Sequence, residues 1–167
     1  MSTIINGTSN AITFPDGTIQ NSAYIPAGSV VQVVNATYST ITSVASNSFA
    51  DTGLTASITP KFATSKILVI VDMAGCTKNA TNTYLQLRLL RNSTTLYQFE
   101  DISGYTATTT YNGFGSVSTN YLDSPATTSA TIYKVQLANG SNTGLVAINN
   151  YIGATSTSSI TLMEIAQ

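Results

Sequence analysis

GLTASITPKFATSKILVIVDM, residues 53–73, holds two strand patterns of different kinds back to back. In its first part Leu54, Ala56 and Ile58 alternate with Thr55, Ser57 and Thr59. Successive strand residues point to opposite faces, so this period of two predicts a strand with one face buried and the other in water. After Pro60 the pattern changes: KILVIVDM, Lys66 to Met73, is apolar on both faces. A run of that kind predicts a central strand covered on both sides.

Outward from these two strands the alternation continues. TYLQLRLLR (83–91) places Leu85, Leu87 and Leu89 on one face and Tyr84, Gln86 and Arg88 on the other. GSVVQVVNATYS (28–39), TTLYQFE (94–100), SATIYKVQL (129–137), TGLVAINNYIG (143–153) and SSITLMEIA (158–166) read as further strands, and TATTTYNGFGSVSTNY (106–121) as two more pieces. Helical three-four spacing with a cap is absent. Turn residues fall between the strands at sandwich intervals: Asn139-Gly140 within ANGSNTG (138–144), Asn112-Gly113, and the prolines Pro60 and Pro125. The sequence therefore predicts an all-β fold, a single antiparallel β-sandwich of about eight or nine strands with jelly-roll connections. An immunoglobulin-like strand order stays open, although no Trp and a single Cys leave no immunoglobulin core signature.

Composition narrows the function. Charged residues make up 8% of the 167, against about 25% in a typical soluble domain. Ser and Thr supply about 29%, so neutral hydroxyls must cover most of the surface. With a net charge of −1 there is no field to attract nucleic acid or an anionic membrane surface. The longest apolar run, Ile67 to Val71, is far shorter than the roughly 20 residues of a membrane-spanning helix. MSTIINGTS lacks the basic start and apolar stretch of a secretion signal, which predicts synthesis in the cytoplasm without export by that route. Cys76 reads as a small buried hydrophobe with an inert thiol.

The chain contains no His, which removes the commonest general base and transition-metal ligand. Carboxylate-only glycoside hydrolysis would have to draw on Asp51, Asp72, Glu100, Asp101, Asp123 and Glu164. Glu100-Asp101 is the one adjacent pair, and neighbours on a strand face opposite ways, so it reads as a solvated loop end. Asp51-Thr52-Gly53 matches the short motif of aspartic proteases but lacks a second copy, and reads as a strand-entry turn. No clustered oxygen-ligand spacing suggests calcium, and no cofactor is predicted. Nine Tyr offer rigid amphipathic contact area; Tyr105, Tyr111 and Tyr121 fall in the Gly- and Thr-rich middle and are candidates to face a receptor or glycan from loops at one end of the sandwich.

Residues 1–27 form a separate problem. AITF and TIQ flank Pro15-Asp16-Gly17, a turn in which Pro presets φ and Gly relieves strain. So small a hairpin is at best marginal alone. The reading is an extended N-terminal arm (1–27) ahead of a sandwich knob (28–167), with Ile12, Phe14, Ile19 and Ile25 as docking residues. ITFPDGTIQNSA, PAGSVVQVVNATYST, DTGLTASITPKFATSKILVIV and the closing SSITLMEIAQ resemble, in that order, short fibre or tail-fibre-like virion proteins of tailed phages from marine and other aquatic bacteria. The resemblance implies a non-enzymatic part of a phage virion: a homotrimer, attached to other virion proteins by its arm, with a knob facing outward and available to a host-surface glycan. No long shaft is present. Two other roles stay open, a decoration protein bracing the phage head and a polysaccharide-cleaving virion enzyme.

Overall fold

The computed structural model describes residues 4–6, 11–20, 25–141, 143–151 and 154–167, and every regular element among them is a β-strand. Three short strands come first: β1 (Ile4–Asn6), β2 (Ala11–Thr13) and β3 (Ile19–Gln20). They are followed by β4 (Val30–Tyr38), β5 (Thr42–Val44), β6 (Ala50–Ile58), β7 (Lys66–Lys78), β8 (Leu85–Arg91), β9 (Thr94–Ser103) and β10 (Asn112–Asp123). The last five are β11 (Thr131–Asn139), β12 (Val146–Ile148), β13 (Asn150–Tyr151), β14 (Ala154–Thr155) and β15 (Ser158–Ile165).

Eight long strands make two antiparallel sheets. One runs β4-β15-β7-β10, with β5 and β12 extending the β4 and β15 side along the far end of β7. The other runs β6-β11-β8-β9. The chain crosses repeatedly between the sheets, and this order is that of a jelly roll. It settles the choice against an immunoglobulin-like arrangement.

Alternation decides the core. Leu54, Ala56 and Ile58 of β6 turn inward together with Leu85, Leu87 and Leu89 of β8 and Val135 and Leu137 of β11. They meet Ile67, Val69, Val71 and Met73 of β7 and Ile160 and Leu162 of β15. Across the sheets run buried polar ties. Arg91 Nη1 donates to both oxygens of Asp123 at 2.9 and 2.8 Å, and Tyr133 OH donates to Asp123 Oδ2 at 2.6 Å, joining β8 and β11 to β10. At the open edge Tyr97 of β9 stacks on Tyr121 of β10, ring centres 5.2 Å apart, and its hydroxyl bonds Thr119.

Several expectations change. β7 is central in its sheet, but only its inner face is covered by the described residues: Ile70 on the outer face is 40% exposed. The threonine-rich stretch is one loop and one strand, not two strands, and Asn112-Gly113 lies within β10 opposite Lys78 and Thr77. Asp51-Thr52-Gly53 is not a turn: it lies inside β6, where the register against β11 shifts. Gly53 is required there, because its φ is +95° and the Tyr38 ring fills the place a Cβ would take. The 143–153 segment breaks at Asn149, whose φ is +56° and whose amide reaches Thr40 O, so it yields β12 and β13; residues 142 and 152–153 of that region lie outside the described residues. Glu100-Asp101 sits within β9, with Glu100 Oε1 accepting from the amides of Asp101 and Ile102.

Glu164 on β15 is fully buried and accepts from Gln32 Nε2 at 2.6 Å and from the amides of Lys61 and Phe62 at 2.8 and 3.2 Å. Burial pushes its carboxyl up, but these bonds outweigh burial and hold it below the usual carboxylate range. A depressed carboxyl stabilises the fold above its unfolded value and loses that contribution as pH falls through the folded one. Thermal melts are therefore expected to weaken as pH drops below about 4.5. Glu164→Gln should flatten that acid limb and cost about 1–3 kcal/mol at neutral pH, since its amide would set donors against donors.

Candidate functional site

At the base of the sandwich the chain passes from the arm into β4. Gly28 N donates to Ala166 O at 2.8 Å and Ala166 N to Ser29 O at 3.0 Å, so the point of departure is fixed to the end of β15. The strands β1, β2 and β3 pair only with one another among the described residues. The Pro15-Asp16-Gly17 turn forms as the sequence predicts: Phe14 N donates to Thr18 O, and Asp16 Oδ1 accepts from the amide and hydroxyl of Thr18. The four arm residues all lie at the surface, Ile12 37%, Phe14 40%, Ile19 60% and Ile25 39% exposed. Residues 1–3, 7–10 and 21–24 of the arm lie outside the described residues.

The outer face of the β4-β15-β7-β10 sheet is graded. Strand registers align Val33, Met163, Leu68 and Leu122 in one row across all four strands. The next row reads Asn35, Thr161, Ile70 and Asn120, and the one after it Thr37, Ser159, Asp72 and Ser118. Opposed residues on one face lie within side-chain contact, so the first row is a continuous apolar band. Between β7 and β10 the face dips into a groove of about 460 Å³ lined by Leu68, Ile70, Asp72, Ser118 and Asn120.

The other end of β7 carries the tyrosines, about 40 Å from the base at the strand rise of 13 residues. Tyr105 and Tyr111 lie in the 104–111 loop, 47% and 43% exposed. Tyr105 packs edge-on against Tyr84 at 6.1 Å and donates to Asn82 Oδ1; Tyr84 in turn lies over Gly140 and donates to its carbonyl. Tyr151, 47% exposed, covers Gly113 beside them. Tyr121 does not join this group: it faces inward on β10, partly buried against Tyr97.

Holding this end together is a residue that sequence reasoning passed over. Lys78 closes β7, is buried, and donates to the carbonyls of Ala80, Thr106 and Thr109 at 3.0, 3.2 and 2.9 Å and to the Thr106 hydroxyl. Burial lowers its pKa. The sequence signal was a lysine ending an apolar strand with no acidic residue near it.

The remaining candidates are paired within the fold. Cys76 is fully buried, its thiol pushed up to about 12 by burial and donating to Met73 O. Asp51 accepts from Lys134 and Gln136, Asp72 from Ser118, and Asp101 from Gln86 and Gln98. No group of three or more metal-binding side chains occurs among the described residues.

No family model matches the chain, and no curated protein matches its sequence. Among solved structures it is similar to infectious bursal disease virus VP2 in a subviral particle, at 14% identity and a TM-score of 0.43 over 83% of this chain and 38% of that one. It is also similar to T=1 particles derived from that virus, at 15% identity and a TM-score of 0.46 over 83% of this chain and 37% of that one. The chain thus spans less than half the length of these proteins.

Replacing Lys78 by Met leaves at least three carbonyls without their donor, each worth about 1–3 kcal/mol if it stays dry. Lys78→Met should keep the all-β circular dichroism spectrum, lower stability by about 2 kcal/mol or more, and speed amide exchange selectively in residues 104–111.

Proposed function

We propose that the protein is a non-enzymatic structural component of a phage virion, a homotrimer docked to the particle through its arm with the tyrosine end of the sandwich turned outward. The observation that carries the reading is the arm: three strands of three, three and two residues, too little to be stable without a partner, with Ile12 and Ile19 exposed on them, Phe14 at their turn and Ile25 in the stretch leading to β4. Its resemblance to short fibre-like virion proteins supports the particle as that partner. The trimer rests on the same resemblance and on the closed symmetry general to homo-oligomers. The arm's point of departure and the tyrosines lie at opposite ends of β7, which supports a molecule with an attached end and a presented end, and the exposed rings of Tyr105, Tyr111 and Tyr151 suit stacking on a host glycan.

Decoration of the head is the second reading. The two separate by phenotype. Loss of a fibre should reduce adsorption to host cells with heads intact; loss of a decoration protein should leave adsorption unchanged and make heads fragile to heat or osmotic shock.

Deleting residues 1–27 should leave a sandwich with the parent's β spectrum and cooperative melt that fails to join particles assembled without the full-length chain. Normal incorporation of the truncated protein, measured by immunoblot of purified virions, would refute the docking assignment.

A further inference from the structure

We propose that the apolar band on the outer face of the β4-β15-β7-β10 sheet is the seat for the arm of a second copy of this chain. The inference rests on the arm-docking reading and adds the surface that receives the arm. Two uncovered apolar surfaces occur in one chain. The first is the band Val33, Met163, Leu68 and Leu122 with Ile70 beside it, where Val33, Leu122 and Ile70 are 54%, 51% and 40% exposed. The second is the arm's own set, Ile12, Phe14, Ile19 and Ile25.

The band is specific to this sheet. On the outer face of β6-β11-β8-β9 the base end carries a single exposed Ile132, 45% exposed, and the rows above it are polar and internally paired, Lys134 with Asp51 at 2.9 Å, Arg88 with Gln136 at 2.9 and 2.6 Å, and Gln86 with Asp101 at 2.6 Å. Charge matches as well. Asp16 at the turn is the single charged residue in 1–27, and the apolar row contains none, so the two surfaces meet without desolvating an ion.

Position selects a second copy as donor. The arm leaves at the same end of the sheet as the band, where Gly28 and Ser29 are tied to Ala166, yet Val33, Leu122 and Ile70 of the band and the arm's four apolar residues are exposed within the one chain, with Leu68 and Met163 half-buried between them. Arm-to-band contact between copies is heterologous, each chain giving an arm and receiving one, and such contacts close into a ring when the rotation allows.

The test uses the purified full-length chain. Phe14→Ser and Leu122→Glu should each weaken self-association on the order of tenfold or more, read by light scattering across a dilution series, while the melting curve stays close to the parent's. Chains carrying Phe14→Cys mixed with chains carrying Leu122→Cys should give a mixed dimer with a short bis-maleimide, since Cys76 is buried. Leu122→Cys linking to itself would mean a face-to-face contact, and linkage confined to a single chain carrying both changes would mean the arm covers its own sheet; either overturns the inference. So does undiminished association of both the Phe14→Ser and Leu122→Glu proteins. If those two associate normally while deletion of 1–27 still abolishes incorporation into particles, the docking reading stands and this one falls.

Discussion

The fold depends on β7 being apolar on both faces. Its inner residues, Ile67, Val69, Val71 and Met73, are completely buried, and it is hydrogen-bonded along one edge to β10 and along the other to β15 and then β12. In most strands a slip of one residue is forbidden because it turns the apolar set to water. β7 alone cannot enforce this, since Leu68 and Ile70 would serve the core nearly as well as their neighbours. Its register is held from outside: by β15, where Ile160 and Leu162 point in while Ser159 and Thr161 point out, and by Asp123, which must reach Arg91 and Tyr133 across the sheets. An ion pair with a buried carboxylate adds little net stability but is costly to break, and here it discriminates between registers.

The same neutrality that shapes the surface shapes the interior. Two salt bridges occur among the described residues, and most other buried polar groups, Ser65 Oγ excepted, are satisfied by amides, hydroxyls and carbonyls: Thr52 on Val135, Asn139 on Thr143 and Gly144, Ser158 on Asn149. Few charges mean little long-range steering and little salt dependence. Contacts made by such a surface must draw on shape and apolar area, which gives weight to the places where apolar area is left open.

Strand identity was legible because period-two alternation is a local property. Leu54, Ala56, Ile58 and Leu85, Leu87, Leu89 could be assigned to the core from spacing alone. What was not legible depended on partners distant in sequence. Tyr121 was grouped with Tyr105 by proximity to Gly and Thr, but β10 pairs with β7 from Asn112 onward, and that pairing turns Tyr121 inward to Tyr97. Gly53 reads as part of a turn, but it lies in a strand whose register shifts, under the Tyr38 ring of β4, a neighbour fifteen residues away that no local pattern shows. The apolar row across four strands exists only in the register between them. Lys78 escaped because its acceptors are backbone carbonyls, which every residue carries.

The molecule has a direction along β7. The apolar row and the departure of the arm lie at one end; polar rows, Asn-rich loops and exposed tyrosines lie at the other. The two ends are coupled only through a tightly packed core, and the tyrosine end is tied down by contacts of its own: Lys78 to the 104–111 loop, Tyr84 to Gly140, Asn139 to the 143–144 carbonyls. Changes in the exposed loop residues between those ties alter neither the inner face of β7 nor the band near the base, because independent sites separated by more than about 10 Å add without interacting. Under the proposed function an attached end and a presented end need this separation, and the eight-stranded frame supplies it by placing the two ends a full strand length apart.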